Sequence, residues 1–235
     1  MPFKQRLAVI AFIALPLLAR AQVVFTFNGT MNTTAVGYTA GQAVTFGVTL
    51  NSAPMTTGFL VTGTNPGYIW RGDVPSDPIL FTNVTGTGLG GTWLTPTDGS
   101  QYSEIQAFNN SLSIYASFDG VGSIYTGLTG PNGGVVKQLN LGFNLVMGTL
   151  TAPSGSLPDA NTYFAGLLGT YTAGSQITSG VFSLTTRISN VDTTLYMTVQ
   201  SLTISSAIPE PSTYAILFGL GALGLVGFRR YRRSV

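Results

Sequence analysis

In residues 43–50, AVTFGVTL, Val44, Phe46, Val48 and Leu50 alternate with Thr45, Gly47 and Thr49. The same period of two runs through Leu112, Ile114, Ala116 and Phe118, through Leu139, Leu141, Phe143 and Leu145, and through Leu195, Met197 and Val199. Successive side chains of an extended strand point to opposite faces, so this period specifies strands with one dry and one wet face. Shorter strands are expected at Val23–Phe27, Gly58–Thr62, Ile79–Thr82, Ile105–Phe108 and Val181–Thr185. Turn pairs separate them: Asn28-Gly29, Asn51-Ser52, Asp98-Gly99, Asn132-Gly133 and Ser154-Gly155. The pattern allows a single short helix, in PDANTYFAGLL from Pro158 to Leu168. Many short antiparallel strands with half-buried faces predict an all-β body, an antiparallel β-sandwich of jelly-roll type. No fixed-period repeat argues for a solenoid or a propeller.

Both ends of the chain read differently from this body. The segment MPFKQRLAVIAFIALPLLARAQ sets Lys4 and Arg6 before an apolar run from Leu7 to Leu18, then the small-x-small triplet Ala19-Arg20-Ala21. These are the parts of a secretory signal peptide, with cleavage expected after Ala21 and Gln22 as the first mature residue. An uncleaved membrane anchor is the alternative. At the other end, residues 214–228 are apolar and are followed by Arg229, Arg230, Arg232 and Arg233. As a helix this stretch is roughly 22 Å long, short of a hydrocarbon core of about 30 Å, and snorkelling arginines extend it. The arginine cluster acts as a stop-transfer signal and stays cytoplasmic, which leaves everything between the two apolar runs outside. The expected organisation is a signal peptide over 1–21, a β-sandwich body over 22–207 and a C-terminal signal over 208–235. That last signal includes a transmembrane helix at 214–228.

Pro209-Glu210-Pro211, the hydrophobic stretch and the terminal arginines, in that order, resemble the PEP-CTERM sorting signal. Such signals occur on exported proteins of Gram-negative bacteria that make exopolysaccharide. The resemblance implies that a membrane-embedded exosortase recognises the signal and processes the chain near Pro209, Glu210 and Pro211. It also implies transient anchoring in the inner membrane, then delivery to the cell surface or extracellular matrix. The segment ahead of the motif, LYMTVQSLTISSAIPEPS, has the look of the final strand that often precedes these signals.

Charge and residue usage narrow the chemistry of the body. Only 8% of the 235 residues are charged, against roughly 25% in ordinary globular chains. Residues 22–208 keep three cations, Arg71, Lys137 and Arg187, against seven anions, Asp73, Asp77, Asp98, Glu104, Asp119, Asp159 and Asp192, a net charge of −4. The basic pI belongs to the ends, so no nucleic-acid partner is expected. The chain has no cysteine and no histidine. This rules out a Ser-His-Asp triad, a Cys-His pair and a conventional zinc site within the chain.

What remains are carboxylates and aromatic rings. A carboxylate pair can hydrolyse glycosides without histidine, but most of these acids sit in turn contexts, where Asp caps the backbone. Calcium would need several oxygens, and only Asp73 and Asp77 share a loop, with Asp119 joining by folding. Neither catalysis, a metal nor any other cofactor is therefore expected. Arg71-Gly72-Asp73 spells an adhesion tripeptide and reads here as a turn before Pro75. The Asn-x-Ser/Thr matches at Asn28, Asn32, Asn83 and Asn109 arise easily in so Asn- and Thr-rich a chain.

Tyr38, Tyr68, Trp70, Trp93, Tyr102, Tyr115 and Tyr125 can either fill a core or stack on sugars. Tyr115 lies on the polar face of its strand, and Trp70 and Trp93 lie near expected loops, so these three are the candidate sugar contacts. The overall expectation is a non-enzymatic exported protein, structural or adhesive in exopolysaccharide. The alternatives are a lectin-like module and a permanently anchored protein facing the periplasm.

Overall fold

The computed structural model describes residues 22–73, 80–90, 102–117, 128–145 and 155–207. The expected signal peptide with Ala19 and Ala21, the motif Pro209, Glu210 and Pro211, the 214–228 helix and the four terminal arginines lie outside these residues. So do Trp93, Tyr125, Asp77, Asp98 and Asp119. Among the described residues no helix is long and apolar enough to cross a membrane.

The described strands are β1 (Gln22–Met31), β2 (Ala43–Leu50), β3 (Gly58–Val61), β4 (Gly67–Asp73), β5 (Phe81–Gly86), β6 (Tyr102–Phe108), β7 (Ser111–Ser117), β8 (Val135–Leu145), β9 (Gly169–Thr172), β10 (Ile177–Ile188) and β11 (Val191–Ala207). One short helix, α1 (Ala160–Ala165), precedes β9. The alternation reads out as expected: Val44, Phe46, Val48 and Leu50 are all buried, as are Leu195, Met197 and Val199.

The antiparallel all-β expectation holds, while its finer form, a two-sheet sandwich, is not shown by the strand pairing. The described strands do not divide into two separate sheets but follow one hydrogen-bonded path, β3-β4-β6-β7-β8-β10-β11-β1-β2-β5, with β9 added on β11. Periodicity tells each strand which face is dry, but not which strands share a sheet. The single sheet is strongly curled. β4 and β1 are six steps apart on the path, roughly 29 Å if it were flat. Yet the Phe164 ring of α1 lies 5.0 Å from Phe25 on β1 and 5.4 Å from Trp70 on β4. Curling brings both strands onto one apolar cluster, as a sheet buried on one face requires.

The region around α1 fixes that closure with polar bonds. Asp159 is the N-cap, its Oδ1 accepting from Thr162 N–H at 3.0 Å and its Oδ2 from Met55 N–H at 2.7 Å. Asn161 accepts from Val23 N–H at 3.3 Å and donates to the Asn51 carbonyl at 2.6 Å. The Trp70 indole N–H donates to the Pro158 carbonyl at 2.9 Å. Residues 158–161 therefore tie β1, β4 and the segment after β2 to one point.

One expected turn is absent, and one observed turn was not expected. Asn28-Gly29 is no turn but the middle of β1, paired with Thr45 and Val44. A side chain at Gly29 would overlap the Thr198 carbonyl oxygen of β11, so glycine there permits close backbone approach. The hairpin between β10 and β11 instead turns on Ser189 and Asn190, both at positive φ, 49° and 64°. Two successive left-handed residues make the primed turn that matches strand twist. No Asn-Gly or Asp-Gly pair advertises it.

β11 runs antiparallel beside β1. Asn32 N–H donates to the Tyr196 carbonyl at 2.8 Å, while the Asn28 side chain reaches Ser201 at 3.2 Å. The buried set of β11 steps from Val199 to Leu202 rather than to residue 201.

Truncating Phe164 to Ala should cost about 4 kcal/mol, because its ring touches both distant strands. Urea unfolding of the processed protein checks this. A loss below about 1 kcal/mol would mean that α1 does not hold the curl closed.

Candidate functional site

Adjacent register positions divide the sheet into an inner and an outer row. Inward, Trp70, Ile105, Ile114, Phe182 and Met197 share one register line, which crosses β8 at residue 141. One residue away, the outward row is Arg71, Glu104, Tyr115, Ser183 and Tyr196, on a line that crosses β8 at residue 140. A slip of one residue would exchange the two rows, so the apolar row fixes where the polar one lies.

This settles one of the three candidate sugar contacts against expectation. Trp70 is fully buried, at 0% exposure, and its ring lies 5.6 Å from Tyr68, 5.2 Å from Tyr163 and 5.4 Å from Phe164. Its polar edge is satisfied by Pro158. Trp70 is a core ring, because Arg71-Gly72-Asp73 forms the end of β4 and not a loop. The alternation in GYIWRGD is blurred by Ile69, which is buried although it faces outward. Trp93 lies outside the described residues. Tyr115 does occupy the outward row, half-buried. Tyr196, 48% exposed, joins it. Its place in the alternation Leu195, Tyr196, Met197 was already a signal for an outward ring.

The electrostatics of the row are self-contained. Glu104 faces outward yet is only 7% exposed. Arg71 Nε donates to its Oε2 at 2.6 Å, and the Gln106 amide donates to its Oε1. The Arg71 guanidinium also lies over the Phe59 ring, 4.8 Å from its centre. Both oxygens of this covered carboxylate thus have donors within the sheet.

The remaining described carboxylates serve structure. Asp159 caps α1 and anchors Met55. Asp192 receives two bonds from Arg187, at 2.7 and 2.9 Å, and one from Lys137 at 3.1 Å. The side chain of Asp73 is outside what is described. Among the described residues no three His, Cys, Asp or Glu side chains gather as metal ligands would. Asn28 and Asn32 of the Asn-x-Ser/Thr matches bond within the sheet, to Thr45 and Ser201 and to Thr198 respectively.

Four described groups are shifted by their surroundings: burial raises Tyr38, Tyr163 and Tyr171, and Asp192 is lowered. The Arg187 hydrogen bonds, joined by Lys137, hold Asp192 at about 2 rather than 3.8. Burial, helped by Tyr68 and Tyr171, pushes the Tyr163 hydroxyl up to about 12. That hydroxyl is buried without a hydrogen-bond partner.

Residues 207–233 match the family model of the PEP-CTERM protein-sorting motif. The match begins on the last residue of β11. No curated protein and no solved structure is significantly similar to the chain.

Two measurements follow from the shifted groups. Asp192 is depressed, so its contribution is complete above about pH 4 and is lost as pH falls toward 2. The difference in melting temperature between wild type and Asp192→Asn should therefore shrink over that interval and stay constant from about pH 5 upward. Tyr163 is raised, so its contribution is complete below about pH 10 and is lost between about 10 and 12. Tyr163→Phe should be neutral or stabilising by about 1 kcal/mol at pH 7, since it removes a buried unpaired hydroxyl. It should also flatten the alkaline loss of stability. A destabilisation of more than about 1 kcal/mol would show that the hydroxyl has a partner.

Proposed function

With a PEP-CTERM sorting motif at residues 207–233 as premise, we propose that the chain is a non-enzymatic surface or matrix protein, structural or adhesive in exopolysaccharide. The motif marks an exported protein targeted to exosortase and sorted at the membrane. The finer steps extend that. Lys4 and Arg6 orient export, and signal peptidase cleaves after Ala21. The body then folds outside with Gln22 as its first residue. Residues 214–228 hold it at the inner membrane, and Arg229, Arg230, Arg232 and Arg233 keep the tail from crossing. Exosortase processes the chain at Pro209-Glu210-Pro211, and the body is freed to the surface or matrix.

The single observation that carries this is the position of the motif. It begins where the last strand ends, so sorting can remove the tail without taking any of the sheet before Ala207. A non-enzymatic role is supported by the occupied carboxylates: Glu104, Asp159 and Asp192 each already bind partners within the fold. A lectin-like role is favoured by one specific feature, the outward tyrosines on a row whose two charges neutralise each other.

Replacing Pro209, Glu210 and Pro211 together by alanine tests the sorting step in the native host. Immunoblots of fractionated cells should show a full-length protein retained in the membrane and none released. Normal release of a shortened product would overturn the assignment of these residues.

A further inference from the structure

We propose that the outward row from Arg71 to Tyr196 is a binding site for an uncharged polysaccharide laid across the strands, with Tyr115 and Tyr196 as its stacking rings. This rests on the reading of the body as a surface or matrix protein and names the chemistry of its partner.

Tyr115 and Tyr196 are three strand steps apart, on β7 and β11, with Asn140 and Ser183 between them in register. At about 4.8 Å per step their backbones are about 14 Å apart measured along the sheet, room for more than one sugar ring. Ser183 between them carries a hydroxyl suited to bonding with sugar hydroxyls. At the far end of the row, Glu104 and the ring of Phe59 fix the Arg71 guanidinium, whose side chain is 42% exposed.

The adjacent outward row carries no charge: Ile69, Gln106, Ser113, Gly142, Val181 and Thr198. Gly142 has no side chain, which lowers the floor between Ser113 and Val181. Val181 is 51% exposed. On the opposite flank the described side chains are the hydroxyls of Thr185 and Thr194.

Charge decides the partner. The site has one cation and one anion, bonded to each other at 2.6 Å, and no surplus of positive charge over the row. A nucleic acid, a sulfated or carboxylated polymer and an anionic membrane all require such a surplus. The polymer that fits is neutral, rich in hydroxyls, and has apolar C–H faces to lie on tyrosine.

The test uses the processed protein recovered from its host, as wild type, Tyr196→Ala, Tyr115→Phe and the double variant Tyr115→Ala/Tyr196→Ala. Dextran, laminarin and galactomannan are the neutral probes, with alginate and heparin as anionic controls. Wild type should bind at least one neutral polymer, with affinity unchanged between about 50 and about 500 mM NaCl, since no ion pair forms with the ligand. Tyr196→Ala should weaken binding about tenfold or more, and the double variant should abolish it. Tyr115→Phe keeps the ring and should bind like wild type.

Tyr196 is exposed, so its replacement leaves the melting temperature nearly unchanged and keeps the test valid if Tyr115→Ala unfolds the body. Three outcomes would overturn the proposal: no binding to any neutral polymer, binding unaffected by Tyr196→Ala, or binding confined to alginate and heparin and lost in salt. The molecular mass of the same samples reports on sorting, so a failure there is seen separately from a failure of binding.

Discussion

The Phe164 ring sits between Phe25 and Trp70, and the shape of the body depends on that seat. Phe25 and Trp70 belong to strands far apart along the sheet, so a flat sheet cannot satisfy both contacts. The short helix that carries Phe164 has six residues, too few to be stable alone. It persists because Asp159 caps it and Asn161 bonds to two other segments. The closure is thus both apolar and directional. The ring supplies the burial, and the polar bonds of residues 158–161 decide which segments meet around it.

Once the sheet is closed, the register does the rest. Each central strand offers one apolar and one polar set of side chains, and the apolar set has a single place to go. The outward row inherits its order from the inward one. Tyr115 and Tyr196 share a line because Ile114, Phe182 and Met197 share the one beside it. Among the described residues Arg71 pairs with Glu104, and Arg187 and Lys137 pair with Asp192. A net charge of −4 over residues 22–208 repels anionic partners at long range.

The strands β1, β2, β6, β7, β8, β10 and β11 were legible, wholly or in part, because stretches of their sequences alternate apolar and polar residues. β4 was not, because Tyr68, Ile69 and Trp70 are all buried and show no period. That omission misplaced Trp70 as a loop residue near the surface. Asn28-Gly29 misled for a related reason: a turn-forming pair also suits a strand whose neighbour approaches closely. The sheet order was not legible, since local periodicity carries no information on pairing between β8 and β10 across α1 and β9. Of the candidate site, Tyr115 was found from parity alone. Tyr196 obeys the same parity and becomes its partner only through the register of three intervening pairings. The sorting motif was read from composition and order at the chain end, where no fold is needed to recognise it.

The body, the outer row and the tail form one account only if the protein leaves the membrane. The most direct measurement is the intact mass of the protein recovered from the native host, taken separately from membranes and medium. A released species beginning at Gln22 and ending near Pro209 is the predicted result. A chain that still ends at Val235 and stays in the membrane fraction would contradict it, and would make the protein a permanently anchored one facing the periplasm.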